Sequence, residues 1–169
     1  LTSDAPVSRI RATVRAGRDQ MRATLLSWLP QDLTDLRILD AGCGMGDALV
    51  ELHRAFPQAR IEGIEWSWPL RVLAAWRCPW ARVRQGDMWA ASWAGCQVVY
   101  CFQRPESMAR AWQKACTELA PGAWLVSLDF EVPGLLHSQC LQRQGAQTVW
   151  AYQVPGLADR CSTRPAAGR

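Results

Sequence analysis

Apolar and polar positions change period repeatedly along this chain. Residues 36–42, "LRILDAG", form a compact apolar run that reads as a buried strand, and from Asp47 to Phe56 the apolar positions shift to helical spacing. The same exchange recurs. "ARIEGIE" predicts a second strand, and a helix follows from Pro69 to Arg77, with Ser67 as its N-cap and Pro69 in its first turn. "ARVRQGD" predicts a third strand and "CQVVYCF" a fourth. Pro105 opens a helix to Leu119, and Pro121-Gly122 turns the chain into a fifth strand, "AWLVSLDF". Strands alternating with helices in this way predict an α/β fold with a doubly wound parallel sheet. "HSQCLQRQ" and "QTVWAYQVP", joined through Gly145, read as two final strands with an antiparallel pairing open to them.

The flanks differ in character. Residues 8–28 place Ile10, Val14, Met21, Leu25 and Trp28 at helical spacing, with Arg11, Arg15, Arg18 and Arg22 on a second stripe. The arginines suit a solvated face or an anionic surface. After Ala158 no periodicity remains. The expected organisation is an N-terminal amphipathic helix over 1–30, one α/β domain over 31–158 and a disordered tail over 159–169.

Composition narrows the class. Hydrophobic residues make up 49% and charged residues 20% of 169, which is globular. A net charge of +4 permits an anionic partner without demanding one. The seven cysteines include no C-x-x-C pair, and His53 and His137 are the sole histidines, so the reading is a reducing compartment without disulfide framework or metal. Cys101, inside the fourth strand, reads as a small buried apolar residue. The chain opens on Leu1, which leaves an upstream anchor or signal open. Six of the ten tryptophans fall between 66 and 93, where they would serve core, cleft, oligomer contact or membrane interface.

The candidate chemistry begins at Gly42, Gly44 and Gly46, where the first strand hands over to a helix. Open α/β sheets bind ligands at the carboxyl ends of their strands, and glycine lets backbone approach a ligand closely. A dinucleotide fingerprint would need glycine at position 47, which is Asp47; a P-loop would need G-K-[ST] closing the turn, and the turn has no lysine. Asp40 precedes the turn, Glu65 ends the second strand and Asp87 ends the third. Glu65 is placed to accept hydrogen bonds from a ribose diol, and Asp87 to meet an adenine amino group. Three acids suit a ligand with ribose, adenine and a net cationic centre. They suit a pyrophosphate poorly.

With "ILDAGCGMG", "GIEWS", "QGDMW" and "ELAPGAWLV", the chain resembles the class I S-adenosylmethionine-dependent methyltransferases over about residues 36–130. The resemblance implies a Rossmann-like seven-stranded sheet, mostly parallel with an antiparallel last strand. It implies S-adenosyl-L-methionine as cofactor, held by Asp40, Ala41, Gly42, Cys43, Gly44, Gly46, Glu65, Trp66, Gly86, Asp87 and Met88. Asp40 would order the turn or receive the methionine amino group, and Trp66 and Met88 would pack by the adenine. "EWSWPLRVLAAWR", "VVYCFQRPESMARAWQKACTELAPGAWLVSLDFEVPG" and "TVWAYQVP" resemble the small lysine methyltransferases acting on the ATP synthase c subunit and their prokaryotic relatives. Trp66-Ser67 replaces an Asn of that family, and Gln97 an Asp.

The implied reaction is methylation of a protein side chain, lysine favoured, with a small-molecule acceptor or a non-catalytic cofactor-binding module as alternatives. "CFQRP" stands where adenine and glutamine methyltransferases carry [DN]-P-P-[YF], and nucleic acid is disfavoured as a partner. Tyr100, Phe102, Gln103 and Glu106 are the substrate-side candidates, followed by Asp129. Cysteine usage points to the cytoplasm, and the resemblance implies membrane association through a segment outside this chain.

Overall fold

In the computed structural model, which describes residues 35–135, 139–141 and 148–156, the apolar run after Leu36 becomes the central strand β1 (Arg37–Ala41). Its last four residues are buried, as expected of a strand covered on both faces. Side-chain alternation divides the core into two layers. Ile38 joins Leu49, Leu52, Ile61 and Trp124 on one side, whereas Leu39 and Ala41 join Met108, Ala111 and Leu125 on the other.

The remaining elements follow as α1 (Asp47–Ala55), β2 (Arg60–Glu65), α2 (Trp68–Arg77), β3 (Arg82–Gln85) and β4 (Val98–Cys101). Then come α3 (Pro105–Glu118), β5 (Trp124–Leu128), β6 (Gln139–Leu141) and β7 (Val149–Gln153). The sheet order is β3-β2-β1-β4-β5-β7-β6. The strands from β3 to β5 pair in parallel; β7 runs antiparallel to β5, and β6 to β7. The mostly parallel sheet with an antiparallel last strand is the architecture expected. Strand order reverses between β1 and β4, so their carboxyl ends form the crevice of the switch point.

Helix α3 starts on Pro105, whose missing N–H costs nothing in a first turn, and buries Met108, Ala111 and Ala115 at helical spacing. Helix α1 buries Leu49, Leu52 and Ala55 in the same way. Helix α2 buries Ala74 alone. Ser67 occupies its N-cap position, yet the hydroxyl makes no capping bond.

The predicted helix over residues 8–28 and the tail over 159–169 lie outside the described residues, as does most of "HSQCLQRQ".

Candidate functional site

The turn after β1 is built from left-handed backbone. Gly42, Gly44 and Gly46 have φ of 91°, 53° and 87°, values that side-chain-bearing residues adopt only under strain. The N–H groups of Gly42 and Cys43 both donate to the Ile64 carbonyl at 2.9 Å, which ties the turn to the end of β2. One residue on, Glu65 Oε2 accepts from Gly44 N at 2.8 Å and Oε1 accepts from Ser67 N at 2.8 Å. A single carboxylate thus joins the glycine turn to the start of α2.

The other end of α2 grips the same turn. Arg77 donates from Nη1 to the Met45 carbonyl and from Nη2 to Asp47 Oδ1, each at 2.8 Å. The Cys78 thiol lies 3.6 Å from the Gly46 carbonyl, and a Cβ at Gly46 would come within 3.0 Å of Cys78 Sγ. Only glycine fits there.

Beside the turn lies a cavity of about 430 Å³, lined by Gly42, Glu65, Trp66, Gly86, Asp87, Met88, Trp89 and Gln103. One wall is bare backbone: a Cβ at Gly42 would stand 2.9 Å from Gln103 Nε2. Asp87 Oδ1 accepts from Trp89 N at 2.9 Å, so the acid shapes its own loop. Met88 is held from behind, since the wholly buried Trp93 donates its indole N–H to the Met88 carbonyl at 3.1 Å. The Arg110 guanidinium sits 4.3 Å from the Trp89 ring centroid, a cation–π contact.

Asp40 is 2% exposed, and its Oδ2 has no hydrogen-bond partner among the described residues. Burial, helped by the charge of Glu65, pushes its carboxyl up to about 8. An orphaned buried carboxyl oxygen is costly unless something meets it. A ligand ammonium would meet it. Cys43 and Cys101 are also driven up to about 12, by burial first and then by Asp40. Both remain neutral thiols at neutral pH.

No lysine or arginine is among the residues lining the cavity, which carries two acids at adjacent strand ends. That arrangement suits a cationic ligand bearing a diol and a ring, and repels phosphate. The residues fit the sulfonium cofactor that the sequence implies.

Of the expected cofactor residues, the cavity brings together Gly42, Glu65, Trp66, Gly86, Asp87 and Met88. Asp40 and Ala41 lie buried at the end of β1, and Gly44 and Gly46 shape the turn. The Cys43 side chain turns inward, where a Cβ on Gly63 would meet its Sγ at 2.8 Å. Among the substrate-side candidates, Gln103 lines the cavity. Phe102 is exposed and stacks on Phe130 at 6.0 Å, while Glu106 is exposed in the first turn of α3.

Tyr100 is not among the residues lining the cavity. It is 6% exposed, and alternation along β4 sends it with Val98 into the core layer of Ile38 and Trp124. Asp129, at φ 65°, exchanges hydrogen bonds with Thr148 through its N–H and Oδ1, fastening β7 to the end of β5. Gln97, the departure noted at strand four, accepts from Arg37 N at 2.8 Å and so closes the entry to β1. Sequence reasoning missed Arg77 and left Trp89 and Trp93 unsorted within the tryptophan group over 66–93. Trp89 directly follows "QGDM" and Trp93 reaches back five residues to Met88, whereas Arg77 acts across some 30 residues, a distance that no local pattern reveals.

A family model described as the ANTKMT methyltransferase domain matches residues 40–139, more than half of the chain. A curated relative, magnesium-protoporphyrin O-methyltransferase of Rhodobacter capsulatus, is 60% identical over 53 residues, covering 31% of this chain. The chain spans only 24% of that relative's length. Among solved structures, an RNA methyltransferase from Salinibacter ruber in complex with S-adenosyl-L-homocysteine superposes with a TM-score of 0.71 at 23% identity, over 88% of this chain and 95% of that one. The S-adenosylmethionine-bound amino pentose methyltransferase CalS10 from Micromonospora echinaspora gives 0.58 at 21% identity, over 90% and 70%. A methyltransferase from Pyrococcus furiosus gives 0.63 at 11% identity, over 90% and 100%. At these identities the structural likeness establishes the fold.

Proposed function

The chain belongs to the ANTKMT methyltransferase domain family, and from that premise we propose that it transfers a methyl group from S-adenosyl-L-methionine to a protein side chain, with lysine favoured. The observation that carries the cofactor assignment is Gly42 of the glycine turn lining one cavity together with Glu65 and Asp87.

When bound, the cofactor supplies an electrophilic methyl group on a sulfonium. This chain's residues hold and orient. An ionised carboxylate offers about four lone-pair sites. Gly44 N and Ser67 N use two at Glu65, which leaves the rest for a ribose diol. Asp87 is assigned to the adenine amino group, Met88 and Trp66 to its ring, and Asp40 to the methionine ammonium. Holding donor and acceptor in line can supply roughly 7–11 kcal/mol in favourable cases, so no dedicated base is compulsory. A lysine acceptor, with a free pKa of about 10.4, must still shed a proton. Desolvation beside a cationic sulfonium favours that loss.

Support for a lysine acceptor comes from the resemblance over the segments that follow "GIEWS" and "CFQRP". The experiment is methyl transfer from labelled cofactor to membranes and soluble proteins of the source organism, followed by mass spectrometry of the labelled residue. A methylated lysine supports the reading. Label confined to small molecules overturns it.

A second reading has its own observation, the name of the curated relative. A planar small-molecule acceptor would find apolar surface at Trp66, which is 74% exposed at the cavity edge. Turnover of a porphyrin carboxylate in place of protein would select it.

A further inference from the structure

Helix α2 is apolar nearly all round, a pattern ordinarily found in buried helices. Here it lies open. Trp68 and Trp76 are 61% and 80% exposed, Leu70 and Leu73 both 37%, and Trp66 and Trp80 extend the surface at either end. Tryptophan at this exposure combines unburied ring area with an indole N–H, a pairing that the interface of a bilayer accommodates better than water does. Across residues 66–85 the chain carries Arg71, Arg77, Arg82 and Arg84 and no Asp or Glu. Arg77 and Arg84 pair with Asp47 and Glu62, whereas Arg82 stands exposed on the neighbouring edge strand.

We propose that α2 is a peripheral docking surface for an anionic lipid bilayer. The ten-residue helix lies in the interface plane, its tryptophans entering the headgroup region while Arg71 and, on the neighbouring strand, Arg82 meet lipid phosphates. At ten residues α2 is about 15 Å long, too short to cross a bilayer, so the contact is parallel to the surface. Charge decides against the nearest alternative occupants. Residues 1–34 carry Arg9, Arg11, Arg15, Arg18 and Arg22 against three acids, and a second copy would set arginine against arginine. The face is a convex helix side instead of a groove, which a fluid surface follows without shape matching.

Docking here would bring the bilayer to the cofactor mouth. Trp66 both lines the cavity and adjoins α2, and Glu65 and Arg77 fasten the two ends of α2 to the glycine turn. The surface stands independently of the acceptor assignment, and its failure would leave cofactor binding untouched.

The test is co-sedimentation of the full chain with vesicles of phosphatidylcholine alone or mixed with phosphatidylglycerol, with cofactor titration as the folding control. The double variant Trp68→Ser/Trp76→Ser removes the apolar contact outside the cavity, and Arg71→Gln/Arg82→Gln removes charge. The expected result is binding to the anionic vesicles only, reversed by salt and weakened at least tenfold in both variants, with cofactor affinity unchanged. Wild-type protein that binds cofactor but not anionic vesicles overturns the proposal. So does vesicle binding that the tryptophan variant retains in full, or a concentration-dependent dimer that the same variant abolishes.

Discussion

Glu65 accepts a hydrogen bond from the backbone N–H of Gly44 at 2.8 Å, across 21 residues of chain. The same carboxylate takes Ser67 N with its second oxygen, so one acid sets the turn after β1 and the entry to α2 together. Hydrogen bonds to a charged group contribute roughly 1.5–3 kcal/mol each. Glu65→Gln keeps one acceptor oxygen and loses the charge. It is expected to lower stability by roughly 1–3 kcal/mol and cofactor affinity by at least tenfold, measured by thermal melts and calorimetry. Unchanged affinity would remove Glu65 from the cofactor site.

Asp40 makes stability depend on pH with an inverted sign for an acid. Its folded value, about 8, exceeds the model-compound value of 3.8, so the folded chain binds the proton more tightly than the unfolded one. Its contribution is therefore fully present below about pH 3.8 and is lost as pH rises toward about 8. Denaturant midpoints should fall across that window in wild type, and Asp40→Asn should flatten the fall while raising stability at neutral pH.

An ammonium beside Asp40 favours the ionised carboxyl. Cofactor binding near neutral pH should then release a proton, seen as a dependence of the calorimetric enthalpy on buffer ionisation. Asp40→Asn should lose that release and bind more weakly. Equal proton counts for variant and wild type would contradict the assignment.

Gly42 is constrained by its φ of 91°, and a Cβ built there would stand 2.9 Å from Gln103 Nε2, the movable end of that side chain. Gly42→Ala should cost roughly 1–3 kcal/mol in strain and displace Gln103 from the cavity wall. The readout is a lowered melting temperature together with weakened cofactor binding. The Gln103→Ala variant is expected to fold normally, which separates the two effects.

Arg77 bridges Met45 and Asp47 with its side chain 31% exposed, so its ion pair is partly screened. Arg77→Ala should change stability by less than about 1 kcal/mol, yet reduce cofactor affinity several-fold because the turn is no longer held. Arg77→Lys should rescue little, since one ammonium cannot reproduce the fork.

Much of this architecture was legible from periodicity. The apolar runs at β1 and β4 announced strands buried on both faces, and the glycine turn with Glu65 and Asp87 announced the crevice. Tyr100 stands near a strand end, and its parity with Val98 is what carries it into the core. Arg77 gave no local signal, for its partners lie some 30 residues upstream. The environment of α2 was illegible for a different reason: an all-round apolar helix has no preferred face, and only packing shows that Ala74 alone is covered. The tryptophans divided accordingly. Trp93 and Trp124 became core, while Trp66, Trp68 and Trp76 remained at the surface.

Calorimetric titration of the purified chain with S-adenosylmethionine and S-adenosylhomocysteine, with NAD as control, tests the central claim most directly. The account predicts one site for each of the first two, none for NAD, and strong weakening by Glu65→Ala and Asp87→Ala. A hundredfold excess of cofactor over its dissociation constant should also raise stability by about 2.7 kcal/mol. A folded protein that binds neither methionine derivative would contradict the account.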